Sequence, residues 1–239
     1  MSSLFISDLH LEDSRPQAVQ WLAGFLSGPA RQAEAVYILG DLFEYWIGDD
    51  AAPPAALEIA RLTRELDVAG VPCHFIHGNR DFLLGAAFAA EARLRLLPET
   101  CVVDLCGTPT LLLHGDSLCT DDLEYQAFRR QSRAVAWQTA VLNLPVVQRL
   151  RMAGEARDAS QKHTESSALE IMDVNETAVR EAFRQHGVRR MIHGHTHRPA
   201  VHRHDLGQGA AGERIVLADW YDRGSYLEVS PDGARSITL

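Results

Sequence analysis

The first two-thirds of the chain alternate short apolar runs with longer stretches whose apolar residues recur at helical spacing. Residues 3–7, 35–39 and 72–76 are short, apolar and bounded by polar turns, which predicts buried strands. Residues 16–27 and 55–69 carry apolar side chains at helical spacing, and Gly70 stands where a helix would stop. Strand, helix, strand, helix in that order predicts an α/β fold around a largely parallel sheet. Further strands are expected near 101–105, 109–113, 189–192, 213–217 and 225–229.

Residues 121–187 break this alternation and read as helical throughout, interrupted at Pro145 and loosened near Gly154. Within 129–162, seven basic residues (Arg129, Arg130, Arg133, Arg149, Arg151, Arg157, Lys162) stand against Glu155 and Asp158, a local +5 beside −14 over the rest of the chain. Two readings fit. One is an amphipathic helical pair with a solvated basic face. The other is a cap, residues 121–170, inserted in a core made of 1–120 and 171–239 and receiving an anionic, partly apolar ligand. As a cap, it would line or support a chamber with Trp137, Val141, Leu142 and Val146, and turn Arg149, Arg151 and Arg157 toward phosphates or a membrane surface.

Five polar clusters each follow an apolar run: Asp8-Leu9-His10, Gly40-Asp41, Gly78-Asn79-Arg80-Asp81, His114-Gly115-Asp116 and Gly194-His195-Thr196-His197. In open α/β sheets, ligands bind beyond the carboxyl ends of the strands, so clusters scattered in sequence converge in space. Carboxylates, an Asn carbonyl and imidazoles, without thiolate, suit manganese, iron or zinc. Seven such groups (Asp8, His10, Asp41, Asn79, His114, His195, His197) are too many for one ion and suit two that share a carboxylate. Two ions about 3.5–4 Å apart can clamp the attacking and departing oxygens of a phosphoryl displacement. Taken singly, Asp8 reads as a turn or helix cap and Gly78-Asn79 as a tight turn; the ordered set carries the signal. His193, His74 and His77 read as structural neighbours, and Asp116 as a neighbour of the ligands.

Composition changes this picture in two places. A net charge of −9 over 239 residues disfavours nucleic acid as a partner. Cys73, Cys101, Cys106 and Cys119 lack metal-finger spacing and read as reduced packing thiols in a cytoplasmic protein without a signal peptide.

The ordered clusters resemble the calcineurin-like metallophosphoesterase superfamily, whose pattern is D-x-H, G-D, G-N-H-D/E, H-G and G-H-x-H. The resemblance implies a β-sandwich flanked by helices (α/β/β/α). It also implies that Asp8, His10, Asp41 and His197 hold one metal and Asp41, Asn79, His114 and His195 the other. Position 80 departs, with Arg where the superfamily has His. A guanidinium cannot protonate a leaving group, but a phosphate monoester, with its second pKa near about 6, leaves without a proton. Arg80 therefore points to a pyrophosphate linkage, against the alternative of a drifted monoesterase.

Longer strings, including Tyr37 to Glu44, His77 to Leu83, His114 to Thr120 and His193 to Ala200, resemble the UDP-2,3-diacylglucosamine pyrophosphohydrolase family of lipid A synthesis. That resemblance implies a manganese enzyme on the cytoplasmic side of the inner membrane, a monomer acting on a nucleotide-activated diacylated sugar lipid. It assigns catalysis to Asp41, Asn79, Arg80 and His195, and substrate contacts to Asn79, Arg80, Asp122, Ser160, Thr164 and His195. Ser167 stands at a further contact position where the family has Lys, and Ala218 where it has Gly. A nuclease or dinucleoside polyphosphate hydrolase on the same scaffold, or a non-catalytic interaction module, are the rival readings.

Overall fold

A computed structural model describes residues 2–166 and 173–239. β1 (Ser3–Ile6), α1 (Pro16–Ser27), β2 (Ala35–Leu39), α2 (Pro54–Val68), β3 (Cys73–Ile76), α3 (Ala86–Glu91) and β4 (Leu94–Leu96) come first. β5 (Thr100–Leu105) and β6 (Thr108–Leu113) lead into α4 (Leu123–Ser132), α5 (Val135–Leu142), α6 (Val146–Ser166) and α7 (Glu176–His186). β7 (Arg190–His193), β8 (Ala200–Gly207), β9 (Ala210–Val216), β10 (Ser225–Ser230) and β11 (Gly233–Thr238) complete the chain.

Among the described residues these strands form two sheets, ordered β11-β10-β1-β2-β3-β4 and β5-β6-β7-β9-β8. The run β1 to β4 is parallel, as are β6-β7 and β7-β9, while β10, β11, β5 and β8 pair antiparallel. The expectation of a largely parallel sheet thus holds from β1 to β4 and at the centre of the second sheet, while the β10-β11 margin of the first and both margins of the second depart from it.

The apolar runs are continuous because both faces of the central strands are covered. Phe5, Tyr37, Leu39 and Ile76 point inward to meet Leu112, Ile192 and Ile215 of the second sheet. Leu4, Ile6, Val36, Ile38 and Phe75 point outward against Leu22, Phe25, Ile59 and Leu66 of α1 and α2. On the far side, Leu111, Leu113 and Met191 meet Val179 and Phe183 of α7. Helix, sheet, sheet and helix stack in four layers, with the carboxyl ends of β1, β2, β3, β6 and β7 opening at one end.

The segment after β6 is helical and interrupted at Pro145 as expected, with one earlier break that was not expected and none near Gly154. α4 and α5 part at Arg133-Ala134, α5 and α6 at Asn143 to Pro145, and α6 runs through Gly154 without a break. Residues 173–175 are not helical; Asn175 instead caps α7, accepting from Thr177 N and Ala178 N at 2.9 and 3.1 Å. Val141 is buried in the same core cluster as residues of α1 and α2, and Trp137 and Met152 pack against that cluster. Among the described residues no helix is long and apolar enough to cross a membrane.

Candidate metal centre and active site

Each polar cluster sits on the loop directly after a parallel strand, and the chain turns sharply there. Asp8, His10, Asp41, His195 and His197 all have left-handed backbone, with φ between 50° and 68°. Non-glycine residues held in this region cost about 1–3 kcal/mol each and persist where the surroundings over-determine them. Those surroundings are visible: Asp8 N donates to Gly40 O at 3.1 Å and His10 N to Asp41 O at 3.0 Å, lacing the first two loops together. The third loop closes on the second so tightly that a Cβ on Gly78 would lie 2.1 Å from Asp41 Oδ1, so only glycine fits.

The result is a convergence of buried donors. Asp41 Oδ2 lies 3.9 Å from His10 Nε2 and 3.7 Å from His114 Nε2. Asp8 Oδ1 lies 3.4 Å from His197 Nε2, which is also 3.4 Å from His10 Nε2. His114 Nε2 lies 2.9 Å from Asn79 Oδ1, and the rings of His114 and His195 are 5.0 Å apart. Ligands that each stand about 2.0–2.2 Å from an ion are themselves roughly 3–4 Å apart, depending on the angle between them, and the separations here run from 2.9 to 3.9 Å. Asp8 Oδ1 is also fully buried without a hydrogen-bond donor of good geometry, the state of an atom built to receive a cation. Asp8 with His10 and His197, and Asp8 with Asp41 and His114, are two groups able to hold an ion. The donor set fits divalent metal.

The ring orientations agree. His114 Nδ1 donates to Leu39 O at 2.8 Å and His10 Nδ1 lies 2.9 Å from Glu44 Oε2, so both Nε2 atoms turn toward Asp41. Burial alone would raise the Asp8 carboxyl, yet its contact with His197 and the nearby His114 and His10 rings hold it well below the usual range. Burial, then the neighbouring His114, drives His195 down to about 4, leaving a neutral ring able to act as a ligand.

The remaining expected residues divide. The Arg80 backbone N–H donates to Asp41 Oδ1 at 2.8 Å; its side chain reaches Ser160 Oγ on α6 at 3.5 Å, so Arg80 and Ser160 adjoin the cluster. Asp122 is buried and caps α4, accepting from Tyr125 N at 2.9 Å. The Thr164 side chain and all of Ser167 lie outside the described residues. Asp116 accepts from Tyr125 Oη at 2.6 Å and Arg129 Nε at 2.8 Å, which pins α4 to the rim of the site. Arg149 does not face a phosphate or a membrane. It is buried, donating to Leu144 O at 3.0 Å and to Asp50 Oδ1 at 2.7 Å, because it ties α6 to the loop before α2. Arg151 pairs with Glu155 and Arg157 with Glu12.

Four residues at the site carried no sequence signal of their own. Glu44 stands beside His10. Asp81, within a quoted cluster but given no role, accepts from Leu42 N at 2.7 Å and Gly78 N at 2.8 Å and so fixes the second and third loops. Tyr221 stacks on His10 with ring centres 5.2 Å apart. Arg15 donates to Leu9 O and His10 O at 3.2 Å and to Trp220 O at 2.6 Å, a clamp visible only once residues 205 positions apart meet.

Oxygen and imidazole donors gathered on two buried carboxylates, at the strand ends of a sandwich, define a metal-dependent hydrolase. The chain belongs to the calcineurin-like phosphoesterase family, whose profile matches residues 1–199. It is 50% identical to a protein of Stenotrophomonas maltophilia named UDP-2,3-diacylglucosamine hydrolase, over 100% of this chain and 99% of that one. Proteins of the same name from Yersinia pseudotuberculosis and Edwardsiella ictaluri are 48% and 46% identical over 100% of this chain, covering 99% and 92% of their own lengths.

Proposed function

We propose that this chain hydrolyses the pyrophosphate bond of UDP-2,3-diacylglucosamine, releasing UMP and 2,3-diacylglucosamine 1-phosphate for lipid A synthesis. The observation that supports the chemistry is Asp41, whose Oδ2 stands between His10 and His114 at 3.9 and 3.7 Å. Asp8, His10, Asp41 and His197 would hold one manganese ion and Asp41, Asn79, His114 and His195 a second. When bound, such ions neutralise charge at the phosphorus and acidify water. The substrate is supported by the names of the full-length relatives.

Water attacks the phosphorus nearer uridine, and the sugar phosphate departs without needing a proton. Arg80 supports this direction, because its permanent charge offsets the negative charge on the leaving phosphate while it has no proton to give. Asn79 and His195 carry the reacting phosphoryl group beside Asp41. Residues 121–170 act as a cap for the acyl chains. The protein works as a monomer, peripheral on the cytoplasmic side of the inner membrane, and takes no nucleic acid.

The test offers the manganese-loaded protein UDP-diacylglucosamine, UDP-glucose, a dinucleoside tetraphosphate and an aryl phosphate diester in isotopically labelled water. Preference for the first, with label in UMP, is expected. Preference for the tetraphosphate would replace the substrate, and label in the lipid phosphate would reverse the direction of attack.

A further inference from the structure

A chain of buried polar groups runs from the outer surface of the second sheet to the loop that carries His195 and His197. Its centre is Arg214 on β9, only 5% exposed. Arg214 Nη1 lies 3.1 Å from His193 Nε2, and Arg214 Nε donates to His204 Nε2 at 3.2 Å. His204 Nδ1 lies 3.0 Å from Glu176 Oε1, and His193 Nδ1 lies 2.8 Å from Gly194 O.

A guanidinium has donors and no acceptor, so both imidazole Nε2 atoms that face it must present lone pairs. With Nε2 unprotonated, the single proton of each neutral ring sits on Nδ1. His193 then donates to the Gly194 carbonyl, and His204 donates to Glu176. Arg214 thereby enforces from the Nε2 side the tautomer that the oxygen acceptors at Nδ1 also require, in two histidines at once, although it touches none of the residues that would hold metal.

Gly194 is where that choice reaches the site. Its N–H donates to His114 O at 2.8 Å, and the next N–H, of His195, donates to Asp8 Oδ2 at 2.9 Å. A Cβ at Gly194 would lie 2.2 Å from Asp8 Oδ2, so the chain packs directly against the Asp8 carboxylate and a turn of this peptide would be felt there. The wrong tautomer at His193 would aim a lone pair at the Gly194 carbonyl instead of an N–H. That peptide would turn, and His195 and the Asp8 carboxylate would turn with it.

We infer that Arg214 is a positioning residue: by fixing the His193 tautomer it holds the Gly194 peptide, and through it His195 and Asp8, in the geometry that binds metal. The inference rests on the proposed metal site, but not on the identity of the substrate.

Titrating the metal-free full chain with manganese alone, by calorimetry, separates the two. Arg214→Met is expected to weaken manganese binding by about tenfold or more, the usual consequence of removing a partner that orients a ligand. Arg214→Lys, which keeps a charged donor, should recover most of the loss. Nitrogen-15 spectra of histidine-labelled wild-type protein should show His193 protonated at Nδ1, with that signal identified by its loss in His193→Gln. In Arg214→Met, with only the Gly194 carbonyl left to favour Nδ1, an Nε2-protonated population should become detectable. A folded Arg214→Met variant with wild-type manganese affinity would overturn the inference. So would an Nε2-protonated His193 in the wild-type protein, a result available even if the Met variant does not fold. A merely structural Arg214 would lower the melting temperature while leaving the tautomer and the metal affinity in place.

Discussion

Arg80 Nη2 lies 3.5 Å from Ser160 Oγ, so the Arg80 guanidinium links the loop after β3 to the long helix α6. The same residue's backbone N–H donates to Asp41 Oδ1, and its buried Nε has no hydrogen-bond partner among the described residues. Backbone and side chain therefore serve different ends, and a substitution can separate them. Arg80→Met keeps the backbone donor to Asp41 and loses the charge. Turnover of the pyrophosphate substrate is expected to fall about 10²-fold or more, the usual effect of removing one preorganised donor. Bound metal, measured by elemental analysis, should not change. Parallel loss of metal would show that the side chain supports the ligands.

Asp41 is the carboxylate with imidazoles on both sides, so its removal should affect both proposed ions. Asp41→Ala is expected to abolish activity and to lower bound manganese more than any other single ligand change. His10→Ala and His114→Ala, each on one side, should lose less. Elemental analysis of the three variants checks the order, and a greater loss in His114→Ala would place the shared ligand elsewhere.

The cysteines allow a prediction with a pH sign. Burial pushes the Cys73 and Cys119 thiols up to about 12, with the carboxylates of Asp67 and Asp116 adding to the effect. The thiolate is the reactive form, so at pH 8 only about one in 10⁴ of these groups is available. Cys106 is exposed. In native protein at pH 8, an alkylating reagent should modify Cys106 first and spare Cys73 and Cys119 until the chain is denatured. Peptide mass spectrometry reads the order. Fast modification of Cys119 in the native state would require an opening of the loop after β6.

The candidate ligands were legible in the sequence because the strands that carry them are buried on both faces. Apolar runs such as Val36 to Leu39 stand out, and a polar residue directly after one has nowhere to go but the sheet's end. β4, β8 and β11 gave no such signal. They lie at the sheet margins, and Arg203 and Asp205 or Arg235-Ser236 are the polar residues an exposed edge carries. The basic stretch in 129–162 misled for a related reason. Composition counts Arg149 as charge, but cannot show that Asp50, 99 positions earlier, lies within 2.7 Å of it. Glu44 and Tyr221 were hidden likewise, since their use depends on His10 standing beside them.

Those ion pairs also change how the cap should be tested. Replacing residues 129–162 outright would remove Arg129 and Arg149, which hold Asp116 and Asp50, and would disturb the core along with the cap. The exposed apolar residues can be changed alone. Val135, Val147 and Leu150 are 78%, 77% and 45% exposed. Little native packing is lost when they become polar. If this face meets the hydrocarbon of the substrate or its membrane, each side chain contributes up to about 1.5 kcal/mol on burial. Three together then exceed the 1.4 kcal/mol of a tenfold change several times over. The combined variant Val135→Asp, Val147→Asp, Leu150→Asp is expected to keep its melting temperature, its metal and its rate on a small aryl phosphate diester. Its turnover of UDP-diacylglucosamine presented in vesicles should fall by tenfold or more. An unchanged vesicle rate in that folded variant would make α5 and α6 a structural helical pair, and the acyl chains would have to be met by another surface.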